Sequence, residues 1–589
     1  MDDRFVNPYT FVPLPKGGAK RSDCTAVTEP IFSGEIKCRL ITKTQIAVPD
    51  ILKNPFPRKE DRTEPKEYDF FTLDGKAAIP GSGIRGVIRS VFEVLTDSCM
   101  HLNDKEDDYF HTRLNKTKPG IITYDPVKRE YTLHNSKRVR DKTEIRHKTG
   151  DKVRFDTKSG NGQASELVDS FSAGGRYQGV YLRVDTFGTG NKQSNPSVFR
   201  YIETGTKIDK VYIDRLKVNV EMYQGQYKKD YENTIEAMEN AGGWLPVWYW
   251  QDSATGHYYL APSQYSRAVF VKKPRNIVEN AGMQECTSPK CCCAACATFG
   301  FIADGKGDSQ SRESHVRFTD AICEQSDCFD GSYLLPVLSG PRLSSFEFYL
   351  SGNERNSLGP DSSNVTIAGR KFYWHAPQNV ITKDDDFAKE HPKMATRMQL
   401  VKKGAEFTFS VFYDRITEDQ LKKLVFALDL GENFAGSARC HKLGHGKPVG
   451  LGSVKITVDS ITKRSFENGA YSVSDITEET VGAANTGMFQ PTPEFNAFIT
   501  KVVNLNYAAK KEVDYPRETA GGDIFKWFAD NRGSLRSEGY IRLNNHLPKI
   551  TDADPSLPRT PKSEQKGGFG GNRNSGYSRG GFNNRGFRR

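Results

Sequence analysis

The sequence predicts an α+β protein with a large, β-rich insertion and a disordered C-terminal tail. Two strand-then-helix units, one before and one after an irregular stretch, carry this prediction. The last 24 residues, rich in glycine, asparagine and arginine, predict the disordered tail. At 589 residues the chain is too long for one ordinary core, so it should contain two or more structural units.

The first unit begins at residues 34–48, where Ile36 and Leu40 belong to an alternating pattern that is typical of a half-buried strand. A polar loop follows over residues 50–69. Residues 78–97 then contain a glycine turn, followed by apolar residues at three- and four-residue spacing. That spacing predicts an amphipathic helix directly after the glycines.

The second unit repeats the strand-then-helix order. Residues 406–414 alternate apolar and polar side chains, and residues 416–430 form an apolar stripe at helical spacing, with Thr417 as a candidate cap. A glycine-rich turn leads into a strand over residues 444–458, and a further helical region is predicted from about residue 494 to residue 527.

The irregular stretch between the two units contains strand-like pieces at residues 180–184 and 244–251. It is therefore predicted to be an inserted domain with much β-structure. The predicted units are residues 1–97 and 286–465 for the two parts of the core, 98–285 for the insertion, 466–550 for a helical extension and 551–589 for the disordered tail.

Charge and composition favour a nucleic-acid partner. The net charge is +11, and the segment Lys566–Arg589 has six basic residues and no acid, so the tail carries about half of it. Arginine and aromatic residues in such a tail suit loose RNA binding, although a solubilising role is the alternative. No long apolar run and no secretory signal are evident, so we expect a cytoplasmic protein without a membrane partner.

Two glycine segments are candidate phosphate-binding loops. In the first, the glycines permit a tight turn, the following helix directs amide groups at the loop, and the arginines lie four residues apart. In the second, exposed amides accompany a lysine and a histidine. An ordinary turn with solvated basic side chains is the alternative in both cases. The candidate residues are Gly81, Ser82, Gly83, Arg85 and Arg89 in the first segment, and His445, Gly446, Lys447, Gly450 and Gly452 in the second.

Five of the eleven cysteines fall within residues 286–296. The pair Cys293 and Cys296 has the C-x-x-C spacing that grips one face of a tetrahedral zinc ion. A structural zinc site is therefore predicted, and a set of small buried side chains is the alternative. The predicted ligands are Cys286, Cys291, Cys293 and Cys296, with Cys292 and His315 as possible substitutes.

Three motifs in this order resemble the RAMP superfamily, and more narrowly the guide-binding backbone subunits of type III CRISPR effector complexes, in a branch with a large insertion. The motifs are AIPGSGIRGVIRSVFE, CCCAACATFGF and GHGKPVGLGSVKI. The resemblance covers residues 30–100 and 286–460, includes the insertion only by position, and does not include the tail.

The resemblance implies a modified ferredoxin-like (RRM-like) core that binds guide RNA, meets target RNA and assembles with other effector subunits. It implies that Gly81, Ser82, Gly83 and Arg85 contact the guide backbone. Some members cleave target RNA with a loop aspartate and a divalent metal such as magnesium. Asp69 is the candidate here, ahead of Asp50 and Asp61. A non-catalytic binding subunit is favoured, while a target-RNA endoribonuclease and a free-standing RNA-binding protein acting through its tail remain alternatives.

Overall fold

The structure is a computed structural model of the whole chain. It describes residues 4–26, 29–51, 64–101, 109–113, 117–143, 147–160, 166–183, 196–223, 226–252, 256–264, 266–303, 305, 310–338, 346, 348–351, 360–361, 365–431, 438–467, 469–476, 486–517, 527 and 547–559.

An antiparallel central sheet organises the protein. Its two longest ladders join the strand Ile31–Thr42 to Glu406–Thr417 on one side and to Ser453–Glu467 on the other. In spatial order its strands are His441–Lys442, Ser453–Glu467, Ile31–Thr42, Glu406–Thr417, Ala321–Ile322, Lys76–Ile79 and Thr72–Leu73, with Val316–Phe318 beside Glu406–Thr417 and Ala470–Ile476 beside Ser453–Glu467.

Eight α-helices are described. They are α1 (Gly81–Leu95), α2 (Lys210–Glu221), α3 (Gln226–Ala241), α4 (Pro274–Asn280), α5 (Ala294–Phe299), α6 (Asp386–Glu390), α7 (Glu418–Asp429) and α8 (Pro493–Ala497), together with short helical turns at Pro392–Met394, Lys447–Val449, Thr486–Met488 and Phe498–Val502.

Helices α1 and α7, which lie where the apolar spacing predicted helices, pack against each other and against strands of the central sheet. Helix α7 begins with a capping box in which the Thr417 hydroxyl accepts from the Gln420 amide at 3.2 Å, and the Gln420 side chain accepts from the Thr417 amide at 2.9 Å. Apolar side chains of α1 and α7 join alternate residues of the long strands in one hydrophobic cluster. The other face of the strand Ile31–Thr42 carries Lys37, which is exposed.

The stretch predicted as an insertion is β-rich and has its own hydrophobic cluster. Helices α2 and α3 pack on its sheet. The cluster also contains Phe346, Leu350 and Val365, which come from beyond the predicted boundary. In spatial order the strands are Glu166–Phe171, Lys152–Ser159, Tyr177–Leu182, Ser197–Ile208, Glu130–Arg140, Lys118–Asp125, Leu245–Gln251 and Tyr258–Ala261.

Short ladders connect distant parts of the chain. They pair Arg4–Val6 with Ser556–Pro558, Tyr9–Val12 with Arg370–Tyr373, Arg21–Ser22 with Cys292–Cys293, His111–Arg113 with Arg267–Val269, and Leu350–Ser351 with Thr366–Ile367; Thr396–Val401 lies between Phe329–Leu335 and Lys66–Tyr68.

The C-terminal region differs from the prediction in two places. Of the helix predicted at residues 494–527, the structure describes Pro493–Val502 and Trp527 as helical, while turns and bends follow Val502 over 503–517. The tail predicted to be disordered from residue 551 contains the strand Ser556–Pro558, and Arg559 is almost completely buried. The strand gave no local signal, because prolines and aspartates typical of turns surround it. It forms through long-range pairing with residues 4–6. Residues 560–589 lie outside the described part of the chain.

The described residues contain more strand than helix, so the protein is an α+β protein. None of the described helices combines the length and the apolar character needed to cross a membrane.

Candidate metal centre and basic cluster

Four cysteines converge at the base of the β-rich region. Cys99, Cys286, Cys293 and Cys296 are all buried, and their sulfur atoms lie within 4.8 Å of one another. The sulfur of Cys99 is 3.5 Å from that of Cys296 and 3.6 Å from that of Cys293. In a tetrahedral zinc site with Zn–S bonds of about 2.3 Å, neighbouring sulfurs are about 3.8 Å apart. The four thiols could therefore hold a metal ion such as zinc.

Hydrogen-bond donors around the sulfurs suit the thiolate form that a metal requires. The Cys293 amide donates to the Cys286 sulfur at 3.3 Å, and the Cys296 amide donates to the Cys293 sulfur at 3.5 Å. The Arg89 guanidinium lies 3.7 Å from the Cys296 sulfur. Hydrogen bonds from neighbouring thiols, that of Cys292 first, lower the pKa of Cys286, whereas the hydrogen bonds made to Cys286 raise the pKa values of Cys99 and Cys296. Together these donors offset negative charge that burial alone would disfavour.

Local structure explains how three segments bring these sulfurs together. Cys293 caps helix α5, which places Cys296 one turn further on. Cys99 follows the end of α1, and the neighbouring Ser98 hydroxyl accepts from the Ala295 amide at 3.0 Å. The short ladder between Arg21–Ser22 and Cys292–Cys293 fixes the start of α5 from the other side. The cluster thus joins the two chain ends of the β-rich region.

A largely buried ion-pair network, which includes two residues of α1, lies beside the cysteine cluster. Glu93 accepts from Arg89 at 3.0 Å and from Arg370 at 2.7 Å, and the three side chains are 11–17% exposed. Arg370 also donates to the Cys99 carbonyl at 2.8 Å. These bonds hold the segment that follows α1, so they position the Cys99 sulfur toward the other three.

The structure includes three of the four predicted zinc ligands in this cluster, but Cys291 does not belong to it. Cys291 is exposed, and Cys99 is the fourth member in its place. The proposed substitute His315 is engaged elsewhere, with its Nδ1 2.9 Å from the Asp414 carbonyl oxygen. Local spacing suggested Cys291 because it is adjacent in sequence. Cys99 was missed because only the packing of α1 against α5 brings it close, and an isolated cysteine gives no local signal.

Most of the groups predicted to bind RNA in the first glycine segment instead contact other parts of the protein. The Gly81 amide donates to the Asp320 carboxylate at 2.7 Å, and a side chain at this position would overlap the Phe318 and Thr319 carbonyl oxygens. The glycine is therefore needed for close packing. Ser82 and Gly83 are exposed.

The two arginines of this segment also have protein partners. Arg85 donates to the Phe299 carbonyl and lies over the Phe299 ring, 5.6 Å from its centroid. Arg89 is held by Glu93 and donates to the Gly300 carbonyl at 3.1 Å. Their contact with RNA stays a prediction, and it would require these side chains to exchange partners.

The second glycine segment forms a tight loop against residues 45–47. The His445 amide donates to the Ala47 carbonyl, and the Gly452 amide donates to the Gln45 carbonyl, both at 2.8 Å. Gly446, Gly450 and Gly452 have positive φ angles of 69°, 96° and 78°. A side chain at Gly452 would overlap the Leu443 carbonyl oxygen. Other residues would strain this loop, so the glycines determine its shape.

Four basic residues gather at this loop. Desolvation, followed by the charge of Lys447, lowers the pKa of Lys371 to about 8 and that of Lys442 to about 7. The same two causes lower the pKa of His445, and desolvation lowers that of Lys447. In the described part of the chain, none of these residues forms an ion pair with a carboxylate. We call Lys371, Lys442, His445 and Lys447 the basic cluster.

Solvent reaches the basic cluster, because Lys371 and His445 keep exposed surface although surrounding protein atoms partly desolvate their charged groups, and the other two side chains are half-buried. Lys442 donates to the carbonyls of Gly450 and Leu451 at 3.1 and 2.8 Å, which ties it to the glycine loop. Lys371 lies over the Tyr9 ring, 4.0 Å from its centroid. Desolvation and mutual repulsion disfavour the charged forms of these groups, and a bound anion would stabilise them, so the arrangement favours binding of an anion. Lys371 lies about 75 residues before the loop in sequence and was not predicted.

The candidate aspartates lie near the same loop. The Asp50 amide donates to the Asp69 carbonyl at 2.9 Å, and an isolated bridge pairs Pro49 with Phe70. Since Ala47 bridges to His445, this segment brings Asp69 to the side of the glycine loop. Asp69 is exposed, whereas Asp50 is buried. Asp61 lies outside the described residues.

Comparisons with known proteins give remote likenesses among solved structures. No protein-family model matches the chain, and no curated protein matches it. Among solved structures, Csc2 of Thermofilum pendens aligns with a TM-score of 0.17 and 9% identity, over 69% of this chain and 91% of that chain. At that TM-score the likeness carries no argument about the fold or the function.

Proposed function

We propose that this chain binds RNA as a guide-holding subunit of a type III CRISPR effector complex, with a modified ferredoxin-like core. The observation that carries the proposal is the basic cluster on the second glycine loop, where four basic side chains lack carboxylate partners among the described residues. Phosphates of an RNA backbone would supply the missing charge. The ordered resemblance of the three motifs supports the choice of RNA.

The cysteine cluster has a structural role in this proposal. Zinc held by Cys99, Cys286, Cys293 and Cys296 would fix the base of the β-rich region against α1 and α5. Four sulfur ligands leave no open position for water or substrate, so no reaction at the metal is proposed.

The pH dependence of RNA binding tests the proposal. The cluster lysines carry charge below their pKa values of about 8 and 7 and lose it as the pH rises. Affinity for a fluorescent single-stranded RNA is therefore expected to fall about 10-fold between pH 6.5 and pH 9, measured by anisotropy at constant ionic strength.

The Lys371→Arg variant is the control for that titration, because arginine keeps its charge across this range. Its affinity should fall less steeply with pH than that of the unaltered protein. An identical pH profile for both proteins, or no change with pH, would count against phosphate binding at the basic cluster.

A second function, metal-dependent cleavage of target RNA, is favoured by the exposure of Asp69 beside the same loop. Asp69 would hold a magnesium ion at the scissile phosphate. Asp69→Asn should then reduce cleavage of a guide-paired RNA about 100-fold or more, without changing guide affinity. Asp74→Asn, in the neighbouring exposed turn, is the matched control. Equal cleavage by both variants, or none by the unaltered complex, would exclude this function for Asp69.

A further inference from the structure

One strand of the central sheet continues beyond its neighbour. The strand Ser453–Glu467 pairs with Ile31–Thr42 as far as Arg464 opposite Ser33. Beyond that point it continues in a hairpin with Ala470–Ile476, whose residues are exposed except for the last. The hairpin therefore extends one end of the sheet into solvent.

Large apolar side chains cover one face of this hairpin. Phe466 lies directly opposite Tyr471, with ring centroids 4.8 Å apart. Phe466 is 62% exposed, Tyr471 80% and Val473 64%. As a cross-strand pair the rings stabilise the hairpin, but no hydrophobic core among the described residues covers them, so most of their surface is open to a ligand.

The same face continues onto the sheet with an arginine between aromatic rings. Arg464 is two residues from Phe466, so their side chains share a face. The Arg464 guanidinium carbon is 5.7 Å from the centroid of Phe412. Phe412 in turn lies opposite Arg317 on the neighbouring strand. We call Phe412, Arg464, Phe466 and Tyr471 the aromatic face.

Positive charge on and beside the aromatic face is available to a ligand. Arg317 and Arg464 are exposed, and neither forms an ion pair among the described residues. Two carboxylates lie on the same row of the sheet as Phe412: Glu35, which accepts from the Ser410 hydroxyl, and Asp475, which lies opposite Thr462; neither forms an ion pair with Arg317 or Arg464 among the described residues. Aromatic rings can stack on the bases of a nucleic acid, and guanidinium groups can contact its phosphates. The alternation of rings and arginines on this face therefore suits a single strand of RNA.

We propose that the aromatic face is a second RNA-contact surface, which stacks unpaired bases of a single-stranded RNA on Phe466 and Tyr471 while Arg464 and Arg317 contact its phosphates. The proposal rests on the RNA-binding function proposed above and adds a site to it. A protein partner would be expected to favour a more continuous apolar patch, whereas here Arg464, which forms no ion pair among the described residues, lies between Phe412 and Phe466.

Binding of a fluorescent 20-nucleotide oligouridine to the full chain tests this surface. The double variant Phe466→Ala, Tyr471→Ala should bind about 10-fold more weakly, with an unchanged slope of log affinity against log salt. Arg464→Gln should instead reduce that slope by about 0.7, the contribution of one phosphate contact on a single strand. The control, Val127→Ala with Ile302→Ala, removes two exposed apolar side chains elsewhere and should leave both quantities unchanged.

Ultraviolet crosslinking to the same RNA, followed by peptide mapping, gives a direct readout. We expect crosslinked peptides containing Phe466 or Tyr471. Unaltered affinity of the double variant, with no such peptides, would overturn the inference, as would loss of a protein partner from that variant without loss of RNA affinity. If the unaltered chain binds no RNA, the proposed function itself fails. If Lys447→Gln weakens binding and the hairpin variant does not, only the aromatic face is excluded.

Discussion

Replacing Cys293 by serine is expected to abolish metal binding and to lower the melting temperature by about 10 °C or more. The unaltered protein should contain about one zinc ion per chain by elemental analysis. Cys293 belongs to the cluster of four sulfurs and also caps α5. Its loss therefore removes a metal ligand and loosens the helix that carries Cys296.

The neighbouring Cys291 provides a matched control for this prediction. It is exposed and lies outside the cluster, so Cys291→Ser should keep the zinc and the melting temperature of the unaltered protein. Cys99→Ser should behave like Cys293→Ser, although 194 residues separate the two cysteines. Zinc retained by both cluster variants, or lost on replacing Cys291, would contradict the assignment.

The consequences of this zinc site should extend to the β-rich region. Cys99 precedes that region and Cys286 follows it, so the metal closes a very long segment of chain at its base. Chelation is therefore expected to expose cleavage sites near residues 98–101 and 284–290 to limited proteolysis. The central sheet, whose apolar cluster is separate from that of the β-rich region, should be cut later.

The second large effect is expected at the basic cluster. The double variant Lys371→Gln, Lys447→Gln should weaken RNA binding by about 10-fold or more and reduce the salt slope by about 1.4, because two phosphate contacts are lost. Neither lysine has a carboxylate partner among the described residues, so their removal should not destabilise the fold. Removing two charges that desolvation and mutual repulsion disfavour should, if anything, raise the melting temperature.

Lys207→Gln is the control that tests whether loss of any surface positive charge weakens RNA binding. Lys207 is 74% exposed and pairs with Glu130 in the β-rich region, far along the chain from the glycine loop. This variant should leave RNA affinity and its salt slope within error. Equal losses from Lys207→Gln and from the double variant would indicate diffuse electrostatic binding, with the arginine-rich segment 566–589 as the main contact.

Local signals were sufficient to predict much of the central sheet. The alternating strands at residues 31–42 and 406–417 and the capping box of α7 are patterns that neighbouring residues determine. The helix that starts at Gly81 is similarly evident from its apolar spacing. In each case, the residues that create the pattern are also the residues that form the element.

Features that depend on long-range contacts were not predicted, because no local pattern reveals them. Cys99, Lys371 and the strand Ser556–Pro558 gain their significance from segments distant in sequence. The first glycine segment shows the converse error, since Arg85 looked available for a ligand but is engaged by the Phe299 carbonyl. A sequence pattern indicates which groups are present, whereas packing determines which of them remain unpaired.

The hairpin that carries the aromatic face had a recognisable signal. Asn-Gly at residues 468–469 stands between Phe466 and Tyr471, and this dipeptide is a strong two-residue hairpin signal. It was missed because the helical extension was predicted to begin at residue 466. The strand instead continues to Glu467 and returns at Ala470.

The most direct test of the central claim is to express the chain together with the products of its neighbouring genes, purify the assembly and sequence the RNA that accompanies it. We expect guide RNAs of one defined length that carry repeat-derived sequence, and we expect Lys371→Gln with Lys447→Gln to reduce their yield. Random cellular RNA, or an assembly free of RNA, would contradict the proposed function.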